Sequence, residues 1–448
     1  MRRVSRFAPH DHLLSLVMLL IIGIYVWYVS GSLRSSTDLI QVLASVLIFT
    51  LLIDGIKISF ELFVISRRIP INTRFSDRDH RNLTVVIACH QGANKIAPTI
   101  ESVRACLPGV TIIVADDASK DGTSTIALKS GAKVLKLGFN RGKVGAIHRA
   151  LDYVKTKYVL IMDDDMRLEN STLPYGLLDR YDAVAFNAVP TGEGFWADIQ
   201  RHEYLKSMQI GKNYHAPYGT VLCISGAIGL FRTKRLKAQV DTHSGEFSGE
   251  DLERTLLIHH SIGSRGVTYV PDTVKTEVPE TLGQLFKQRC LGWNPGFAAN
   301  TRLLIGLILS RNTAWRLRVD SLYNLLNLLI DPLRIAALPV LIVNPLIFIV
   351  VFVLYAMLDF VTWFAMGKKD AWYLILLTPL YGIFSLVTRF IGTMVWLYRE
   401  TIELLFLKMR HRPDSYKLAP GYLQAFSFAL SIILLCGFLY FAADFYLG

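Results

Sequence analysis

The sequence has few charged residues and few cysteines for its length. Only 19% of its 448 residues are Asp, Glu, Lys or Arg, whereas 52% are hydrophobic. This balance is atypical of a soluble enzyme and predicts a chain with membrane-embedded parts. The five cysteines form no CxxC pair, and their odd number predicts reduced thiols in a cytosolic domain.

The sequence also lacks the marks of a nucleic-acid-binding protein. Its net charge is +12, but no nucleic-acid-binding motif accompanies this charge, and aromatic and basic residues are not interleaved. We therefore expect no nucleic-acid partner. The positive charge instead suits the anionic head groups of membrane lipids and anionic substrates.

The hydrophobic residues concentrate near the two ends of the chain. Five runs there are long and apolar enough to span a bilayer: 13–31, 39–56, 336–358, 372–397 and 422–445. A cleaved signal peptide is the alternative for the first run, although its apolar stretch would be unusually long. Residues 320–335 are apolar but contain Asp320, Asp331 and Arg334. They are interpreted as an interfacial or partly buried helix, with a sixth span as the alternative.

Basic residues set the predicted orientation, because Lys and Arg are enriched in cytoplasmic loops. They precede the first run, follow the second and separate the last two: Arg2, Arg3, Arg6, Arg67, Arg68, Arg74, Lys408, Arg410, Arg412 and Lys417. With five spans, this pattern predicts an integral protein of the plasma (inner) membrane with a cytosolic N-terminus and a cytosolic middle domain.

The middle of the chain alternates between strand and helix patterns. Strands are predicted at 84–89, 111–115, 133–136 and 157–162, with helices at 95–106, 121–130 and 142–154. Such alternation predicts a parallel sheet with helices on both faces. Ligands of these sheets bind beyond the carboxyl ends of the strands, where Asp116, Asp117 and residues 163–165 are expected.

Three consecutive aspartates follow the last of these strands. Burying Asp163, Asp164 and Asp165 is costly unless a positive group compensates them. A divalent metal that carries a phosphate is such a group, because Mg²⁺ takes oxygen ligands and keeps waters and substrate phosphates. An acidic turn without a ligand is the alternative for this cluster taken alone.

The order of motifs in this region resembles the inverting family 2 glycosyltransferases with a GT-A fold. Segment 116–123, DDASKDGT, resembles the uridine-binding segment of that family. Residues 140–143, NRGK, resemble its NxGK motif, 163–165 its DxD motif and 249–251, Gly-Glu-Asp, its (T/S/G)ED motif. With the flanking spans, the resemblance narrows to the membrane-embedded hyaluronan, chitin, cellulose and Nod-factor backbone synthases.

The resemblance implies a role for each matching residue. Asp163 and Asp165 would bind Mg²⁺ or Mn²⁺, Lys143 would meet the diphosphate as a point charge, and Asp251 would be the catalytic base. Asp117 would accept the N3–H of uracil. The full donor-binding set is Ala88, His90, Asp116, Asp117, Lys143, Asp163 and Asp164. His90 stands where the family usually has an aromatic residue.

The acceptor side is the weaker part of the resemblance. Its predicted residues are Ser225, Gly226, Glu250, Gln288, Arg289 and Trp293. Processive members carry the motif QxxRW, whereas residues 288–293 here read QRCLGW. The tryptophan is therefore one residue late, and Gly292 occupies the slot where arginine would precede it. Trp293 could pack against a sugar or anchor the chain at the bilayer interface.

The predicted architecture is an α/β GT-A domain, with a mixed, mostly parallel sheet and flanking helices, inserted between transmembrane helices. Its predicted parts are two N-terminal transmembrane helices at 1–60, a linker at 61–82, the cytosolic glycosyltransferase domain at 83–284, interface helices at 285–335 and three C-terminal transmembrane helices at 336–448, with a cytosolic interface helix near 400–412.

The predicted function is metal-dependent, inverting transfer (EC 2.4) from a UDP-sugar to a growing β-linked polysaccharide, coupled to export of the product. The expected partners are the donor, a polysaccharide or glycan acceptor and membrane lipids, with an accessory export subunit as an option. Addition of a single sugar to a lipid or lipid-linked glycan is one alternative. A catalytically inactive nucleotide-sugar-binding membrane protein is the other.

Overall fold

The structure, a computed structural model, describes residues 36–67, 80–169, 173–245, 249–365 and 372–405. These residues form two compact units. The sheet unit contains the described residues of 64–282 and 303–322. The helical unit contains the described residues of 1–63, 283–302 and 323–448.

A seven-stranded sheet is the centre of the sheet unit. Its strands are β1 (Leu83–Cys89), β2 (Thr111–Asp116), β3 (Lys133–Lys136), β4 (Tyr158–Asp163), β5 (Ala183–Thr191), β6 (Ile228–Arg232) and β7 (Val267–Glu277), in the order β3-β2-β1-β4-β6-β5-β7. The neighbours of β6 both pair antiparallel to it, and all other pairs are parallel. The predicted mixed, mostly parallel sheet is confirmed.

The central strands are apolar along almost their whole length because helices or loops cover both of their faces. Every residue of β1 except Ala88 is buried, and so are the first five residues of β4. Carboxylate residues appear only at or after the last residue of these strands. The sequence pattern therefore places the acidic residues at one edge of the sheet, after the hydrophobic run has ended.

Short helices connect the strands. They are α2 (Ile96–Cys106), α3 (Thr123–Lys129), α4 (Gly142–Leu151), α5 (Phe195–Lys206), α6 (Asn213–His215), α7 (Thr233–Lys237) and α8 (Glu250–His260). A π-helical turn, Ser207–Lys212, joins α5 to α6, and 3₁₀ turns lie at His80–Asn82, Tyr175–Asp179 and Ala216–Tyr218. The predicted helices at 95–106, 121–130 and 142–154 correspond to α2, α3 and α4.

Long apolar helices make up most of the helical unit. The remaining described helices are α1 (Ser36–Ser66), α9 (Leu282–Gln288), α10 (Asn294–Ala299), α11 (Thr301–Leu309), α12 (Trp315–Val343), α13 (Pro345–Ala365) and α14 (Leu374–Leu405). Most of α11 and the first residues of α12 belong to the sheet unit. Among the described residues, four helical segments are long and apolar enough to cross a membrane: Leu43–Ser66, Trp315–Val343, Pro345–Ala365 and Leu374–Arg399.

The bounds of these helices differ from the predicted ones. Residues 320–335, predicted to be interfacial, lie inside α12, and the predicted span 336–358 is divided between α12 and α13. The division falls at Asn344, whose side-chain oxygen accepts the N–H of Ile347 at 3.2 Å. Pro345 then opens α13, a position that suits proline because it needs no N–H there.

Two of the three charged residues that argued against a span at 320–335, Asp331 and Arg334, are compensated inside the helical unit. Asp331 is 2% exposed and accepts two hydrogen bonds from Arg389, at 2.9 and 3.1 Å. Arg334 donates a third at 3.1 Å. A fully paired carboxylate of this kind is tolerated in an apolar helix, and the hydropathy of the sequence cannot reveal the partner.

Three further predictions concern segments near the ends of the chain. The predicted spans 13–31 and 422–445 lie outside the described residues, as does most of the predicted interface helix near 400–412. The described part of that segment continues α14 without a break to Leu405.

Candidate active site

Three parallel strands bring the first site residues together. β1 lies between β2 and β4, and Ala88 is in register with Ala115 on one side and Asp163 on the other. Cys89 is in register with Asp116. The predicted donor residues Ala88, Asp116 and Asp163 therefore occupy neighbouring positions at one edge of the sheet.

The loop after β1 is locked onto the loop after β2. Three consecutive backbone N–H groups, from Gln91, Gly92 and Ala93, donate to Ser119 Oγ, Thr123 Oγ1 and Asp121 Oδ2 at 2.9–3.0 Å. Both loops hold a left-handed residue that is not glycine, at φ 54° for Gln91 and φ 61° for Ala118. Such conformations persist only where the surrounding contacts enforce them. These bonds explain the serine, aspartate and threonine of the DDASKDGT segment.

The first two aspartates of that segment have different partners. Asp116 is fully buried; its carboxylate accepts the N–H of Ser119 at 2.9 Å and the hydroxyl of Ser124. Asp117 Oδ1 accepts the N–H of Arg141 at 2.6 Å. Burial raises the pKa of Asp117, although the N–H groups of Arg141 and Gly142 counteract it.

Asp117 and His90 together fix the entry to α4. His90 Nδ1 lies 2.7 Å from the carbonyl oxygen of Asp117 and 3.3 Å from Asn140 Nδ2. The predicted donor residues 90 and 117 therefore contact the NRGK segment. Because Asp117 holds the backbone of Arg141, it also positions Lys143, which lies in the first turn of α4.

Lys143 is the centre of a charged cluster. Its Nζ lies 2.6 Å from Asp163 Oδ1 and 3.0 Å from Glu250 Oε1. It also donates to the carbonyl of Gly226 at 3.1 Å. Burial acts to lower the pKa of Lys143, but the charges of Asp163 and Glu250 outweigh it and raise that pKa well above the usual range. The lysine is therefore a permanent positive charge beside the first aspartate.

The same lysine acts on Glu250 in the opposite direction. Burial acts to raise the pKa of Glu250, but the charges of Lys143 and Arg254 outweigh it and lower that pKa to about 2. Burial raises the pKa of Asp163 despite the contact with Lys143. We conclude that Glu250 is ionised at neutral pH and holds the ammonium group between two carboxylates.

The three consecutive aspartates face three different partners. Asp163 meets Lys143, Asp164 Oδ2 accepts the thiol of Cys89 at 2.9 Å, and Asp165 Oδ2 lies 3.6 Å from Lys95 Nζ. Burial raises the pKa of all three carboxyl groups. Only the outer two aspartates face a lysine, whereas the middle one is turned back toward β1.

Gly226 connects this cluster to the predicted base. Its N–H donates to Asp251 Oδ2 at 2.9 Å, while its carbonyl accepts from Lys143. A Cβ atom at position 226 would lie 3.3 Å from Asp251 Oδ2, so glycine lets the backbone approach the carboxylate closely. Burial, followed by the charge of Glu250, raises the pKa of Asp251.

Three residues near the site were not predicted from the sequence. Lys95 and Glu277 form an ion pair at 3.1 Å beside Asp165. Lys212 donates to Ser225 Oγ at 2.7 Å. Burial lowers the pKa of Lys212, whereas the nearby Cys223 and Asp251 act to raise it. No motif marks these residues; the π-helical turn that ends at Lys212 is a frequent sign of a functional site, but it is visible only in the structure.

The remaining predicted residues, Gln288, Arg289 and Trp293, lie in the helical unit. Arg289–Trp293 form a π-helical turn between α9 and α10. A π-helical turn absorbs one extra residue in a helix, which matches the late position of the tryptophan in QRCLGW. The guanidinium of Arg289 lies 3.9 Å from the ring centroid of Trp293. An arginine therefore adjoins the tryptophan despite the glycine at 292.

A family profile and two curated relatives match this chain. The profile, described as glycosyl transferase family 2, matches residues 84–238. The poly-β-1,6-N-acetyl-D-glucosamine synthase of Staphylococcus epidermidis is 26% identical over 226 residues, which cover 48% of this chain and 54% of that protein. Chitin synthase 6 of Mycosarcoma maydis is 27% identical over 161 residues, which cover 30% of this chain and 14% of that protein. The chain thus spans about half the length of the first relative.

A solved structure shares the fold. The mannosyltransferase from Pyrobaculum calidifontis, determined with GDP-mannose and Mn²⁺, superposes with a TM-score of 0.50 at 14% identity, covering 83% of this chain and 99% of that one. At this identity the likeness concerns the fold alone. The profile, the relatives and the mixed sheet agree with the resemblance read from the motifs. Residues 84–238 thus match a glycosyltransferase family 2 domain, the sheet around them is GT-A-like, and the described helices on either side of it in the sequence are long and apolar enough to cross a membrane.

Proposed function

We propose that this glycosyltransferase transfers a sugar, with inversion, from a UDP-sugar to a growing β-linked polysaccharide and couples this transfer to export. The cluster around Lys143 and Gly226 carries the proposal. In this cluster Lys143, the predicted phosphate ligand, contacts the outer DxD aspartate Asp163 and the carbonyl of Gly226. The N–H of Gly226 in turn donates to Asp251, the predicted base. The two polysaccharide synthases among the relatives support the polymeric product.

The residues of the site fit a divalent metal. Asp163 and Asp165 offer oxygen ligands only, and their side chains are 29% and 23% exposed. Among the described residues, no three His, Cys, Asp or Glu side chains are grouped to hold a metal by themselves. This suits Mg²⁺ or Mn²⁺, which complete their shell with waters and phosphate oxygens. When bound, the metal would neutralise the diphosphate leaving group.

The donor would lie along the edge formed by β1, β2 and β4. We assign the uracil to Asp117 and His90, and the diphosphate to Lys143, a compact charge that can turn from Asp163 to a phosphate. Asp116 would stabilise this edge, because its two carboxylate oxygens accept hydrogen bonds from Ser119 in the following loop and from Ser124 in α3. Ala88, which lies at the same edge, would offer the donor a small side chain.

Asp251 would act as the general base. It would remove the proton of the acceptor hydroxyl; the oxygen then attacks the anomeric carbon, and the bond to the diphosphate breaks on the opposite side. UDP leaves with that bonding electron pair. A carboxyl group with a raised pKa is a stronger base, and the N–H of Gly226 holds its Oδ2 in place.

In the sheet unit, we assign acceptor binding to Ser225, Gly226 and Glu250, which lie beside Asp251. Gln288, Arg289 and Trp293 belong to the helical unit, and the family resemblance implies an acceptor-binding role for them. The catalytic domain would face the cytosol, and the apolar helices of the helical unit would supply the exit path. Lipids and an accessory export subunit complete the proposed partners.

The departure of residues 288–293 from the QxxRW motif supports the alternative of single-sugar addition. Arg289 lies against one face of Trp293, so this face is not free to stack on a sugar ring. Product length separates the two functions. Chains of many sugars support polymer synthesis, whereas a single addition to a lipid or glycan acceptor supports the alternative.

The experiment that tests the proposed function is a panel of radiolabelled UDP-sugars and GDP-mannose on the purified full chain with Mn²⁺ or Mg²⁺. We expect incorporation from one UDP-sugar, loss of incorporation with EDTA, and loss in Asp251→Asn. Asp241→Asn, an exposed aspartate, is the matched control and should keep activity. Incorporation from GDP-mannose alone would refute the donor, and full activity of Asp251→Asn would refute the base.

A further inference from the structure

Both outer aspartates of the DxD motif are held by a lysine that also contacts a glutamate. Lys143 lies between Asp163 and Glu250, at 2.6 and 3.0 Å. Lys95 lies between Asp165 and Glu277, at 3.6 and 3.1 Å. The first lysine matches a family motif, whereas no motif includes the second.

The two lysines differ in how firmly they are held. Lys143 also donates to the carbonyl of Gly226, and its shortest contact is with the aspartate. Lys95 is nearer to Glu277 than to Asp165, and its side chain is 38% exposed. Moving Lys95 away from Asp165 should therefore cost less free energy than moving Lys143 away from Asp163.

The backbone of Lys95 is held by hydrogen bonds, whereas its side chain is partly exposed. The N–H groups of Lys95 and Ile96 both donate to the carbonyl of Gly92, at 3.0 and 2.9 Å, in the turn that starts α2. Glu277 is the last residue of β7. The long lysine side chain therefore has an anchored base and two carboxylates within its reach.

We propose that Lys95 is a positioning residue that holds Asp165 while the metal is absent and moves fully to Glu277 when a divalent cation takes Asp165. This inference rests on the metal site of the proposed function. Glu277 is the second partner that makes the exchange possible, because the released ammonium group keeps a carboxylate contact. Lys95 competes with the metal, and Glu277 acts on the metal through Lys95.

The competition predicts opposite effects for two substitutions. In Lys95→Met the metal no longer displaces an ammonium group, so Mn²⁺ should bind about two- to fivefold more tightly, the range for a partly exposed ion pair. In Glu277→Gln the lysine keeps only Asp165, so Mn²⁺ should bind more weakly by a similar factor. Lys95→Gln serves as a second variant at that position.

A double-mutant cycle separates this exchange from a simple effect of charge. If Glu277 acts through Lys95, Glu277→Gln should no longer weaken Mn²⁺ binding when Lys95 is already Met. If Glu277 acts only through its own charge, the weakening should persist undiminished in the double variant.

The measurement is the dissociation constant of Mn²⁺ by electron paramagnetic resonance on the purified full chain, with Lys129→Met as the control at an exposed lysine. A wild type that binds no Mn²⁺ would refute the metal of the proposed function and this inference with it. A wild type that binds Mn²⁺ while both Lys95 variants are unchanged, or while Glu277→Gln weakens binding equally in both backgrounds, would refute the inference alone.

Discussion

Gly92 provides the sharpest test of the structure, because its missing side chain leaves room for two site residues. A Cβ atom there would lie 2.5 Å from Asp164 Oδ2 and would overlap Cys89 Sγ. Neither neighbour can retreat easily: Cys89 is 2% exposed, and the carbonyl of Asp164 accepts the hydroxyl of Thr99 at 2.6 Å. Gly92→Ala should therefore shift the side chains of Cys89 and Asp164 and disturb the hydrogen bond between them at the DxD turn.

The expected cost follows from this overlap. Overpacking a buried position typically costs about 1–3 kcal/mol of the free energy of unfolding. In a domain of this size each kcal/mol lowers Tm by about 2–4 °C. Because a misplacement of about 1 Å can reduce catalysis about a hundredfold, kcat/KM should fall by at least about tenfold.

Thermal unfolding and donor kinetics of the purified protein check this expectation. Gly138→Ala is the matched control, because a Cβ at Gly138 meets no atom within 4 Å. Adding Cys89→Ala to Gly92→Ala should restore part of the lost stability, since it removes one of the two overlapping atoms. If Gly92→Ala and Gly138→Ala behaved alike, the packing of this turn against β1 would be refuted.

Three further predictions concern the base, the lysine and the helical unit. Because burial raises the pKa of Asp251, kcat/KM should fall on acidification at a pH above that at which an ordinary aspartate titrates; a profile without this limb would contradict the base. Lys143→Met should lower kcat/KM for the donor about 10- to 100-fold, as expected for a charge-assisted contact of about 1.5–3 kcal/mol, and a change below threefold would contradict the phosphate role. Asp331→Asn should destabilise the helical unit by about 3 kcal/mol because it leaves two arginines uncompensated; an unchanged Tm would contradict the pairing.

The pattern of β1 to β4 made the fold predictable. Buried apolar runs with acidic ends can be recognised in a sequence, because strands covered on both faces must be apolar until they leave the sheet. The predicted strands therefore lie within about one residue of the observed ones, and the aspartates lie at the predicted edge. The antiparallel insertion of β6 was not predicted, because pairing partners depend on tertiary packing.

The membrane-spanning helices were harder to delimit. Hydropathy alone gave a break near 335, since Asp331 and Arg334 are charged. In the structure α12 runs through both residues because Arg389 of α14 pairs with Asp331. An apolar helix with charged residues has the same local sequence whether or not a second helix pairs those charges. Only the contact with the partner residue therefore decides whether the helix continues through them.

The sequence by itself determined the order of the site residues, from Asp117 through Lys143 and Asp163 to Asp251, and the family that they resemble. It did so because motifs at strand ends are local in the chain. The tertiary structure decided which of them touch. It placed Lys143 between Asp163 and Glu250, turned Asp164 toward Cys89 and brought Lys95 and Glu277 to Asp165. These contacts join residues far apart in sequence, and their energies depend on distance and burial, which the order of residues does not record.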